Sequence, residues 1–124
     1  MKPSEVSGRT LAFLGDAVWS LAVRNYLIES GENKGDRLQK DTIFYVSNKA
    51  QASFYAQLHE EGFFTDSEED SYKRGRNSHS GSIPHNTDAQ TYRMSTGFEA
   101  ILGALYLEKN EERIKEIWDK VRTL

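Results

Sequence analysis

The sequence contains no cysteine, so it can form neither a disulfide framework nor a thiolate metal site, and nothing in it calls for an oxidising compartment. Any metal would be held by carboxylate, imidazole or water. Proline occurs only at Pro3 and Pro84, outside every apolar periodic segment, which leaves long helices permitted almost throughout. No run of about 18 apolar residues is present, and the N-terminal MKPSEVSG lacks the apolar stretch of a secretory signal. Neither membrane insertion nor secretion is therefore expected, and the expected location is the cytoplasm. Positive charge is also short. With 16 Lys and Arg against 19 Asp and Glu, the formal charge is -3, which disfavours binding nucleic acid over the whole surface, because phosphate neutralisation needs clustered cations.

What is present fits one helical domain. A length of 124 residues suits a single core, since such cores serve about 100 to 200 residues, and leaves no room for a second RNA-binding module. Six Phe, six Tyr and two Trp supply the large apolar side chains for that core. The charges are segregated: Glu60, Glu61, Asp66, Glu68, Glu69 and Asp70 precede Lys73, Arg74, Arg76 and Arg93, against which only Asp88 stands.

The apolar spacing predicts an all-α chain. A first helix runs from about Arg9 to Glu29, with Leu11, Leu14, Val18 and Leu21 at helical spacing and Gly31 as its stop. A short helix covers Lys34 to Lys40, and Ser47 caps another carrying Ala50, Phe54, Tyr55 and Leu58 toward Gly62. Asp66 or Ser67 caps an acidic helix ending near Arg74. The polar run GRNSHSGSIPHNT, Gly75 to Thr87, reads as a long loop, a length that in compact domains marks a functional or disordered segment. A helix resumes near Asp88 with Phe98, Ile101, Leu102, Leu105 and Tyr106, and a last one follows Asn110.

Two acids stand out. The first helix is apolar nearly all round, the pattern of a buried helix, and Asp16 is its only acid between Leu11 and Ile28. The helix after the loop repeats this, with Glu99 the only acid between Ala89 and Leu107. A lone buried carboxylate costs on the order of several kcal/mol unless a partner compensates it. On pattern alone two explanations are evenly balanced. In the first, each acid meets a cation such as Arg9, Arg24 or Arg93, or one of them is less buried than the periodicity suggests; in the second, the two helices cross so that both carboxylates face one hard cation, magnesium or manganese, with waters completing an octahedron.

These residues carry a resemblance. LAFLGDAV, Leu11 to Val18, resembles the signature helix of ribonuclease III domains, and STGFEAILGALYLE, Ser95 to Glu108, resembles that family's second acidic helix. KRGRNSHSGSIPHNTDAQTYRMST between them resembles the loop of the mini-ribonuclease III branch, which has the catalytic domain and no double-stranded-RNA-binding domain. The resemblance implies the all-α ribonuclease III fold over residues 1–124, a homodimer, and Asp16 and Glu99 as catalytic metal ligands for Mg2+, with Mn2+ as substitute. It also implies an endoribonuclease that cuts double-stranded RNA to leave 5′-phosphate and 3′-hydroxyl ends. The implied substrate is the 23S ribosomal RNA precursor, with a large-subunit ribosomal protein as a further partner. The sequence departs from the longer enzymes at Ala12 and Thr96, where those carry further acids, and Arg9 falls where they begin the signature with an acid. A catalytically inactive RNA-binding or structural domain of the same fold is the alternative that these departures favour.

For RNA contacts, the cations and donors at and after the loop's start are the candidates: Lys73, Arg74, Arg76, Asn77, Ser78, His79, Ser80, His85 and Arg93. Donors of this kind suit the phosphates and 2′-hydroxyls of an A-form duplex. His79 and His85 lack metal-binding spacing, and Trp19 and Trp118 fall on apolar faces as core or interface anchors.

Overall fold

The structure is a computed structural model that describes residues 1–78 and 87–124. Among the described residues there is no strand. A 3-10 turn, Pro3–Glu5, leads into α1 (Gly8–Glu29), α2 (Gly35–Val46), α3 (Asn48–Glu60), α4 (Asp66–Arg76), α5 (Ala89–Leu107) and α6 (Glu111–Val121). Helix starts are written in short polar side chains. The Ser7, Ser47, Asp88 and Asn110 side chains accept from the backbone N–H groups of Thr10, Ala50, Thr91 and Arg113, each satisfying a donor that the first turn leaves free. At α4 the cap is Thr65 rather than Asp66 or Ser67, because Thr65 and Glu68 form a reciprocal capping box. Gly31, with φ 98°, closes α1 in the left-handed region as expected of a stop residue.

Helix α5 is the centre of the molecule, and α1, α3 and α4 pack on it. The α1–α5 crossing is set by two glycines. A Cβ added at Gly15 would collide with the Glu99 carbonyl, and one added at Gly103 with the Leu11 carbonyl, so the two backbones touch there. That contact places Asp16, next in sequence to Gly15, beside Glu99. Around the crossing, Trp19 lies edge-on to Phe98 at 5.0 Å and to Trp118 at 5.2 Å, geometries that aromatic quadrupoles favour. Its indole N–H donates to the Tyr45 carbonyl at 2.9 Å. Both tryptophans are therefore core residues.

Three further expectations change. Helix α2 continues to Val46, six residues past Lys40, because Thr42 is buried and Leu38, Tyr45 and Val46 pack against the main core, which overrides the strand-like preference of this β-branched and aromatic run. Helix α4 extends through Gly75 and Arg76. There Gly75 lies so close to Thr96 and Ala100 of α5 that a side chain would not fit, a packing role rather than a loop signal. Helix α1 is not buried all round: Phe13, Leu21 and Ile28 are 82%, 69% and 63% exposed. Asp16 lies on the open side of the helix rather than in the interior. A helix that is apolar on every face has one face packed on α5 here and a second left open.

Candidate active site

Asp16 comes from the middle of α1 and Glu99 from the middle of α5, brought together by the Gly15 contact. Glu99 is half-buried and Asp16 exposed. Burial pushes the Glu99 carboxyl up, and the neighbouring Asp16 carboxylate pushes it further, while the Gln51 amide acts weakly in the other direction. The net result is a rise from 4.5 to about 9. Two carboxylates sharing a site this way cannot both ionise cheaply. Among the described residues every ion pair lies elsewhere, so neither acid meets Arg9, Arg24 or Arg93.

No third acid joins them, and no group of three potential metal-ligating side chains occurs among the described residues. Ala12 is buried against α5, and the Thr96 hydroxyl donates to the Tyr92 carbonyl at 3.0 Å. The two carboxylates are an all-oxygen donor set with uncompensated negative charge, which fits a hard divalent cation that keeps several waters.

A second group of predicted residues gathers at the start of α5. Arg76, Asn77 and Arg93 line an open cavity of about 830 Å³ with Tyr72, Gln90 and Met94. The Arg76 guanidinium lies 5.8 Å from the Tyr72 ring centroid, and its Nε donates to Asn77 at 3.2 Å. Arg93 and Glu99 are six residues apart on α5, about 9 Å along its axis. Lys73 is exposed. Ser78 is spent locally, its hydroxyl donating to the Gly75 carbonyl at 2.7 Å.

Arg74 faces elsewhere. Its guanidinium donates to the Pro3 carbonyl at 3.1 Å and to the Val6 carbonyl, tying the N-terminal turn to α4. His79, Ser80 and His85 lie outside the described residues.

Sequence reasoning missed Gln51. It occupies the buried stripe Gln51, Phe54, Tyr55 and Leu58 of α3, and a single amide at i of an i, i+3, i+4, i+7 apolar series was the available signal.

The model of the ribonuclease III domain matches residues 9–110, a span that includes Asp16, Glu99 and the glycine crossing between them. The chain belongs to the ribonuclease III family. This ribonuclease III chain is 46% identical over 112 residues to the mini-ribonuclease 3 of Streptococcus pneumoniae, covering 90% of this chain and 88% of that one. It is 45% identical over 115 residues to the mini-ribonuclease 3 of Staphylococcus aureus, covering 93% and 86%. Among solved structures, a Fusobacterium nucleatum protein superposes with a TM-score of 0.83 at 36% identity, covering 93% of this chain and 92% of that one. Family membership makes the chain an endoribonuclease.

Proposed function

We propose that this endoribonuclease cuts double-stranded RNA as a homodimer, with Asp16 and Glu99 holding a magnesium ion for which manganese substitutes. The observation that carries the reading is the uncompensated carboxylate pair: Glu99 is pushed up to about 9 by burial and by Asp16 and is offered no cation by the fold. A magnesium ion there would supply Lewis acidity at the scissile phosphate and a more acidic water. Asp16 and Glu99 act as ligands, not as nucleophiles. Arg76 and Arg93, with Asn77 between them and exposed Lys73 nearby in sequence, bind flanking phosphates. Arg74 is left out of this interface because the N-terminal turn engages it.

The open face of α1 supports the dimer. Phe13, Leu21 and Ile28 form an exposed apolar series on one helix, beside a cavity of about 690 Å³ shared with α6. A monomer rarely leaves so much contiguous apolar surface free. A two-fold pair of copies suits a duplex whose strands are themselves related by pseudo-two-fold symmetry. Residues 1–124 act as one catalytic domain. It takes the 23S ribosomal RNA precursor as substrate and a large-subunit ribosomal protein as an accessory partner. The expected products carry 5′-phosphate and 3′-hydroxyl ends. No helix among the described residues is long and apolar enough to cross a membrane, and the cytoplasm is the proposed location.

Incubation with perfectly paired RNA tests this reading: cleavage with magnesium, and none with EDTA, is expected. Cleavage that persists in EDTA would remove the metal assignment. Light scattering that shows a fully active monomer would remove the dimer.

A further inference from the structure

Gln51 has no ordinary role in the core that holds it. Its side chain is 0% exposed, and neither Nε2 nor Oε1 has a hydrogen-bond partner of normal geometry. Such an arrangement is costly, and a leucine in the same stripe would avoid the cost. Fixing the register of α3 against α5 does not require it, because Asn48, one turn earlier, already accepts from the Ser95 hydroxyl at 3.1 Å across that interface. Gln51 lies between two α3–α5 contacts, Asn48 to Ser95 at 3.1 Å and the Phe54 ring 6.5 Å from that of Phe98, which set it against the turn of α5 that carries Glu99, and its amide favours the charged form of that carboxyl.

We infer that Gln51 is a positioning residue for the metal site, its Nε2–H donating to the Glu99 carboxylate and its Oε1 free to accept from a cation-bound water. This rests on the reading of Asp16 and Glu99 as ligands. The chemistry matches the deficit. With alanine at 12 and threonine at 96 the site has two acids, so a hydrated cation must lean on neutral acceptors for its waters. A primary amide offers one donor to the ligand and one acceptor to the water, in a fixed geometry. Groups that orient a ligand from behind typically change metal affinity by about 10- to 100-fold.

The test is Mn2+ binding to the RNA-free protein, followed by electron paramagnetic resonance, for the wild type, Gln51→Leu and Gln51→Met. Both substitutions keep the volume and remove the amide. The expected result is that both fold, with metal-free melting temperatures at or above that of the wild type, and bind Mn2+ about tenfold more weakly. In cleavage, the magnesium concentration giving half the maximal rate should rise by about the same factor, while the rate at saturating magnesium recovers. Mn2+ affinity within about twofold of the wild type in either folded variant would overturn the inference. So would failure of both variants to fold, since the amide would then be a structural necessity. Asp16→Asn and Glu99→Gln in the same assay separate the two levels. If they still bind Mn2+, the ligand assignment itself falls. If they lose binding while both Gln51 variants keep it, only the role of Gln51 falls.

Discussion

Two glutamates taken out of full solvent contact, Glu68 and Glu99, are treated in opposite ways. Glu68 on α4 is 5% exposed and fully partnered: Arg113 donates Nε to Oε2 at 2.8 Å and Nη2 to Oε1 at 2.9 Å, and the Thr65 backbone N–H donates to Oε1 at 2.9 Å. Burial pushes its carboxyl up, but Arg113 and Thr65 overcome this and hold it below the ordinary range. Arg113 is itself fixed, donating to the Phe63 carbonyl at 2.9 Å and resting 4.3 Å from that ring's centroid. Glu99 receives none of this, only a second acid and an unbonded amide, and its carboxyl rises to about 9. The chain can build a complete counter-ion for a buried carboxylate. At Glu99 it builds none, which is what the proposed cation site requires.

The sharpest break in this comparison is at the open pair. Asp16→Asn and Glu99→Gln should each lower cleavage by on the order of a thousandfold, since each removes a charged ligand and no shape. Circular dichroism should show an unchanged helical fold. Cleavage near the wild-type rate at low magnesium would contradict the assignment of that residue.

At the closed pair the loss should be in stability instead. Arg113→Ala strands the Glu68 charge and should cost about 3 kcal/mol, a fall of roughly 10 °C in melting temperature for a domain of this size. Cleavage per folded molecule should be unchanged. A large loss of rate at temperatures where the variant remains folded would tie Arg113 to the reaction.

The pair of glutamates should also separate by pH in metal-free protein. Glu99 binds its proton more tightly when folded, so its stabilising contribution is full below the ordinary 4.5 and declines as pH rises toward about 9. Glu68 has a lowered carboxyl, so its contribution is full above the ordinary range and is lost as pH falls through the folded value. Thermal unfolding across pH should therefore lose its alkaline decline in Glu99→Gln and part of its acid decline in Glu68→Gln. Parallel profiles for the two variants would contradict the contrast.

The smallest effect is expected away from both acids. Neutralising Arg76 and Arg93 together should weaken duplex binding and flatten the log-log salt dependence by about one to two units. Saturating RNA should restore most of the single-turnover cleavage rate. An unchanged salt slope with a lost maximal rate would mean that these arginines position the scissile phosphate rather than grip the duplex.

Much of this was legible in the residues, and the misses have particular causes. Ser47, Asp88 and Asn110 announced three helix starts because caps are local chemistry. The α1–α5 glycine contact was not visible as such, although Gly15 and Gly103 sit in the two motifs that carry the acids. Periodicity identified α1 as apolar on every face. It could not tell which face this chain covers, so it left open whether one of the two acids is less buried than the pattern suggests, and the structure shows that it is Asp16, at the edge of an open surface. The basic cluster 73–76 gave composition without direction, and only the structure separates Arg74, turned to the N-terminal turn, from Arg76, turned to the cavity with Arg93. Gln51 went unnoticed because one amide hardly alters an apolar stripe.

The central claim is that the Glu99 charge is held in reserve for a divalent cation. Thermal unfolding of the wild type and Glu99→Gln at neutral pH, with magnesium titrated from none to about ten times the apparent dissociation constant, tests it most directly. Without magnesium the variant should melt higher, because the strained carboxyl is gone. The wild type should then rise by several degrees with magnesium, about 1.4 kcal/mol at that excess, while the variant stays flat. Equal magnesium shifts in the two proteins, or none in the wild type, would contradict it.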